Sequence, residues 1–112
     1  LLDLESIYYF QRGYLRHARD YDDWRASPIR RQDLSGLPPA LIITAGFDPL
    51  VDDCLAYADR LRSAGVPVEY RCFDGMIHGF LALGKLFEMA DVAIGVAARA
   101  LASAFRSEDH RR

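Results

Sequence analysis

Leu37-Pro38-Pro39-Ala40-Leu41-Ile42-Ile43-Thr44-Ala45-Gly46-Phe47-Asp48-Pro49-Leu50 is the stretch whose reading decides the architecture. Pro39 holds the chain extended as it enters the segment. From Ala40 to Thr44 there is no charge and no polar–apolar alternation, so neither face of a strand there can lie in water. That is the pattern of an inner strand of a parallel sheet. Gly46-Phe47 then turns into Asp48-Pro49, and the spacing that follows predicts a helix to about Ala64. Val51, Cys54, Leu55, Ala58 and Leu61 share one face of it, while Asp52, Asp53, Asp59, Arg60 and Arg62 are expected to point outward. Gly65 ends the helix as a glycine cap.

Downstream the period changes. Val66, Val68, Tyr70 and Cys72 alternate with Pro67, Glu69, Arg71 and Phe73, which predicts a half-exposed strand over 66–73. Pro67 places it at or near a sheet edge. Strand, helix and strand in succession imply a right-handed βαβ crossover with the two strands adjacent. A last helix is expected from Gly84 to Phe105, with Leu83, Phe87, Ala90, Ile94, Ala97, Leu101 and Phe105 as its apolar seam. Gly95 costs that helix about 1 kcal/mol relative to alanine, which argues for close packing there.

Upstream, Leu4, Ile7, Tyr8, Gln11, Tyr14 and Leu15 recur at helical spacing and predict a helix over 4–16. With Tyr9, Phe10, Tyr21 and Trp24 this opening section is rich in aromatics. Two readings stand: a core-facing stripe, or a roof over an apolar pocket. Residues 20–39 form a connector dense in Asp, Ser, Gly and Pro. The chain thus divides into an aromatic helical section (1–19), the connector (20–39), a β-α-β-α unit (40–106) and a disordered tail (107–112).

Two strands do not make a viable parallel sheet, because the inner one would expose an unpaired apolar edge. The chain is therefore expected to need a partner fragment or subunit, and its opening at Leu1 fits a piece of a longer polypeptide. Its 112 residues, 51% hydrophobic, suffice for one small unit with a core. A net charge of −2 gives no reason to expect nucleic-acid binding. No apolar run nears the roughly 18 residues needed to span a bilayer, and no signal peptide is evident. Cys54 and Cys72 fit no metal-ligand spacing and are expected to be reduced thiols of a cytoplasmic protein.

The chemistry centres on Asp48 and His78. Taken alone, Asp48 before Pro49 reads as a routine helix start, and His78 before Gly79 as a solvated turn residue. Taken together they mean more. In a parallel sheet the loops leaving the strands gather at one end, where ligands bind. A carboxylate there can accept the Nδ1 proton of the imidazole, fix its tautomer and stabilise imidazolium as it forms. Gly75 and Gly79 would let the histidine loop fold tightly. Asp52 and Asp74 are the competing carboxylates. Ser6, Ser27, Ser35, Ser63, Ser103 and Ser107 all lack the Gly-x-Ser-x-Gly context of an activated serine.

Several segments, in order and with the right gaps, resemble the hormone-sensitive-lipase family of α/β-hydrolases. They are 37–53, Tyr57-Ala58-Asp59-Arg60-Leu61-Arg62-Ser63-Ala64-Gly65-Val66-Pro67-Val68 and Asp74-Gly75-Met76-Ile77-His78-Gly79-Phe80, with Ala26-Ser27-Pro28 and 33–38 ahead of them. The resemblance implies an α/β chain that is the C-terminal portion of an α/β-hydrolase fold: its last two parallel strands with flanking helices. It implies that Asp48 is the triad acid and His78 the general base of a serine carboxylesterase. The family's Gly-Asp-Ser-Ala-Gly elbow and His-Gly-Gly oxyanion segment are absent and expected upstream, so the chain alone is expected to be inactive. The expected partners are that upstream portion, a small acyl ester, and a second copy meeting at 66–73 and 84–105; no metal or organic cofactor is implied. Met76, Ile77, Phe80 and Leu81 suit an acyl-chain wall, and packing accounts for them equally. The alternative is a non-catalytic module on the same fold, for ligand binding or dimerisation. Gibberellin receptors of the family are such binders, but they lose the histidine.

Overall fold

The computed structural model describes residues 2–109, with side chains through 106. Helix α1 spans Leu4–Tyr14, started by Asp3, whose carboxylate accepts from the Ser6 amide at 2.8 Å. Strand β1 is Ala40–Phe47, helix α2 Val51–Ser63, strand β2 Val68–Ile77 and helix α3 Glu88–Asp109. Short 3₁₀ turns occupy Ala18–Asp22 and Pro28–Arg30 in the connector and Phe80–Leu83 before α3. Strands β1 and β2 pair in parallel, Ala40 opposite Val68 through Ala45 opposite Phe73.

The two faces of β1 serve two separate cores. Ala40 and Ile42 lie with Val68 against Leu34, Leu61 and Val66, so α2 and the connector cover that side. Ile43 and Ala45 lie with Phe73 against Phe80, Ala90 and Ala93, so the turn before α3 and α3 itself cover the other. Burial on both faces is what the unbroken apolar run of β1 demanded.

Helix α2 ends in a Schellman arrangement. Gly65 takes a φ of +79°, its amide bonds the Arg62 carbonyl, and the Val66 amide bonds the Leu61 carbonyl. Val66, expected to open the second strand, is instead buried beside Leu61 as the apolar contact of that motif. The strand consequently starts two residues later, and it runs on to Ile77.

Arg60 is not turned to solvent as its helical position suggested. Its guanidinium donates to the carbonyls of Ile29, Arg31 (2.9 Å) and Gln32 (3.5 Å), fastening the connector to α2. Helix α3 begins at Glu88, not Gly84, because residues 84–87 form a separate turn in which the Leu86 and Phe87 amides both bond the Leu83 carbonyl. The Phe87 amide bonds the carbonyl four residues back as in a helix, so the seam read straight through the break. Ala90 and Ala93 are buried, but Ile94, Leu101 and Phe105 are 51%, 58% and 67% exposed. A side chain at Gly95 would meet only the Arg99 guanidinium tip, at 3.3 Å, so no close approach explains that glycine.

Helix α1 buries none of its residues, and Tyr9 and Tyr14 are 73% and 78% exposed. A core-facing stripe is therefore not realised within this chain. Helix α3 continues through Asp109, into the stretch expected to be a tail; residues 110–112 lie outside those described. Cys54 and Cys72 are free thiols.

Candidate active site

Asp48 and His78 sit where β1 and β2 end, at the same end of the ribbon. Asp48 follows Phe47, the last residue of β1, and His78 follows Ile77, the last of β2; Phe47 and Ile77 are paired. The imidazole Nδ1 of His78 donates to Oδ2 of Asp48 at 2.7 Å. The other carboxylate oxygen, Oδ1, accepts from the Leu50 amide at 2.9 Å, and the Asp48 carbonyl accepts from Val51 at 3.1 Å. The helix cap proper is Leu50, so Asp48 does not cap α2. It stands two residues earlier, with one oxygen fixed by the backbone and the other given to the histidine.

The pair is graded in burial. The Asp48 side chain is 13% exposed and that of His78 is 42% exposed. A shielded carboxylate behind an accessible imidazole holds the ring by Nδ1 and leaves Nε2 with its lone pair. Gly79, at φ +77°, turns the chain sharply just beyond the ring. Asp52 and Asp74, the competing carboxylates, are both exposed, and neither hydrogen-bonds to His78. No serine hydroxyl bonds to His78 among the described residues.

Of the apolar neighbours, Phe80 is 3% exposed and belongs to the α3 core, with Met76 packed against it. Leu81 is exposed and Ile77 half-buried. An open groove of about 650 Å³ is lined by Glu5, Tyr9, Phe10, Arg12, Gly13 and Tyr14, all on α1. Burial pushes the Cys54 thiol up, and the nearby Asp48 and Asp53 charges add to it. Among the described residues no group of three or more His, Cys, Asp or Glu could hold a metal ion.

Sequence reasoning missed two contributors near the site. Thr44, 5% exposed, hydrogen-bonds through its hydroxyl to that of Tyr70 at 2.9 Å, tying the strands side chain to side chain. Gly46 faces the backbone of Asp74 so closely that a Cβ built on it would lie 2.2 Å from the Asp74 carbonyl oxygen. Nothing in the sequence distinguishes such a glycine from one in an ordinary turn.

Comparison with known proteins gives a consistent picture. The alpha/beta hydrolase fold family matches residues 1–82. The chain is 47% identical over 87 residues to the carboxylic ester hydrolase LipN of Mycobacterium tuberculosis, covering 77% of this chain and 23% of that protein. It is 35% identical over 101 residues to the ethyl acetate hydrolase of Pseudomonas putida, covering 90% and 32%. Among solved structures, an esterase of Pyrobaculum calidifontis superposes with a TM-score of 0.89 at 36% identity, covering 93% of this chain and 34% of that one. The chain thus spans about a quarter to a third of the length of these relatives. With two parallel strands, their flanking helices and this match over most of its length, the chain belongs to the α/β-hydrolase fold family, in its hormone-sensitive-lipase branch, and forms part of that fold.

Proposed function

We propose that this chain supplies the acid and the general base of a carboxylic-ester hydrolase whose serine nucleophile and oxyanion hole lie upstream. The observation that carries the reading is the 2.7 Å hydrogen bond from His78 to Asp48 at the ends of adjacent parallel strands. The relatives' names, all ester hydrolases, give the reaction class. In the proposed reaction a serine oxygen attacks the ester carbonyl carbon while Nε2 of His78 takes the hydroxyl proton. Asp48 stabilises the imidazolium. Collapse of the tetrahedral intermediate breaks the bond to the alcohol, and His78 returns the proton to that leaving oxygen. Water, deprotonated by the same imidazole, then cleaves the acyl-enzyme and releases the acid. The two free thiols support a cytoplasmic setting.

The test joins this chain to its upstream segment and assays hydrolysis of a short-chain nitrophenyl ester. His78→Ala is expected to abolish turnover, and Asp48→Asn to lower kcat by about 10⁴-fold through the wrong tautomer. Undiminished turnover in His78→Ala ends the proposal.

The exposed Ile94, Leu101 and Phe105 on α3 favour a second reading alongside the first, in which α3 and the outer edge of β2 meet a second copy of the chain. Sedimentation of the joined protein as a monomer would exclude it.

A further inference from the structure

Strands β1 and β2 do not run in step to their ends. Ala45 pairs with Phe73, but Phe47 pairs with Ile77. While β1 advances by Gly46 alone between those pairs, β2 passes through Asp74, Gly75 and Met76, two residues more. A regular ladder would set Gly75 opposite Phe47 and carry His78 two residues further along, about 6–7 Å at the usual rise per residue. At that distance no bond to Asp48 could form. The bulge takes up the excess and delivers His78 beside Asp48, as bulges near functional sites commonly re-aim a side chain.

The bulge fits because position 46 has no side chain. A Cβ there would lie 2.2 Å from the carbonyl oxygen of Asp74, 2.6 Å from its Cα and 2.7 Å from its carbonyl carbon. All three are backbone atoms, so no rotamer change relieves the clash. Backbone conformation is not the reason for glycine here, since Gly46 is not among the glycines with positive φ. Space is the reason.

We propose that Gly46 is a positioning residue: by admitting the Asp74–Met76 bulge against β1, it sets the register that brings the His78 imidazole to the Asp48 carboxylate. The catalytic meaning of this device rests on the esterase reading above; the geometry does not.

Two-bond proton–nitrogen correlations of the His78 ring, recorded on the ¹⁵N-labelled full chain, test it without any assay of hydrolysis. The native chain is expected to hold His78 as the Nδ1-protonated tautomer, and Asp48→Asn to abolish that preference. Gly46→Ala is expected to release the ring to the mixed tautomers of a free imidazole, with the amide shifts of α2 unchanged. Gly75→Ala lies in the same bulge, where a Cβ meets nothing within 4 Å, and is expected to keep the native tautomer. The proposal is overturned if Gly46→Ala retains the native tautomer, if Gly75→Ala loses it equally, or if Gly46→Ala unfolds the whole chain and so makes Gly46 a folding residue. Absence of the tautomer in the native chain would also overturn it. An inactive esterase with the native tautomer intact would count against the proposed function and leave this proposal standing.

Discussion

Asp48 divides its two oxygens between the Leu50 amide and the His78 ring, so the carboxylate is held by the local backbone as well as by the histidine. One short side chain thereby holds a 42%-exposed imidazole through a single hydrogen bond. The same carboxylate reaches Cys54 through its charge. Desolvation first, then Asp48 and Asp53, disfavour the thiolate of Cys54 and raise its titration above that of an ordinary thiol. At mildly alkaline pH less of it is therefore ionised, and alkylation should be slow. Mass spectrometry of the iodoacetamide-treated chain is expected to show the exposed Cys72 modified well before Cys54, with Cys54 catching up only as pH rises further. Equal labelling of both at pH 8 would contradict that assignment. The approach of His78 to Asp48 was legible in the sequence because each stands at the exit of a strand expected to pair with the other. Gly46 was not, since its role depends on what the neighbouring strand places against it.

At the scale of elements, helix α2 is the best-anchored part of the chain. Its face against the sheet carries Ala58 and Leu61, its end is closed by Gly65 and Val66, and Arg60 binds the connector from the other side. Bonds from a charged donor to backbone carbonyls are worth roughly 1.5–3 kcal/mol where they are partly shielded. Arg60→Ala is expected to lower stability by about 1–2 kcal/mol, and limited proteolysis should show faster cleavage within 28–33. Unchanged cleavage there would mean that Leu34 alone holds the connector down. The sequence told α2 and β1 apart cleanly because 3.6 and unbroken apolar patterns differ. It misplaced the start of α3, where a turn over 84–87 kept the helical spacing, and the start of β2, where Val66 belonged to a cap. Arg60 looked outward because periodicity describes a helix surface and says nothing of a loop that returns to cover it.

Over the whole molecule the dimensions are those of a partial fold. The radius of gyration is 16.2 Å, against about 13 Å for a compact domain of this length. The accessible surface is 8725 Å², against about 6200 Å² for a folded monomer of this mass. Much of the excess lies on α1 and the far half of α3, whose aromatic and aliphatic residues find no cover within the chain. Alone, the chain is expected to melt in a broad transition at modest temperature; joined to the upstream segment of the proposed function it should melt sharply and substantially higher. Calorimetry of the two forms checks this, and an equally sharp transition for the chain alone would argue that its two small cores suffice. That β1 would keep an unpaired edge was readable from a chain that offers only two strands. The identity of the uncovered helix faces was not, because amphipathic spacing reports that a face is apolar without saying whether its neighbour belongs to the same chain.

Strand β1 keeps one side of its backbone bonded to β2, and among the described residues no strand bonds the other. Its amides and carbonyls on that side are a template with a fixed direction and spacing. Whichever peptide first aligns with it, whether a correct neighbour or a stray copy of the same segment, inherits a ready-made row of donors and acceptors. Correct pairing is then a race, and producing the chain with that edge uncovered hands the lead to precipitation.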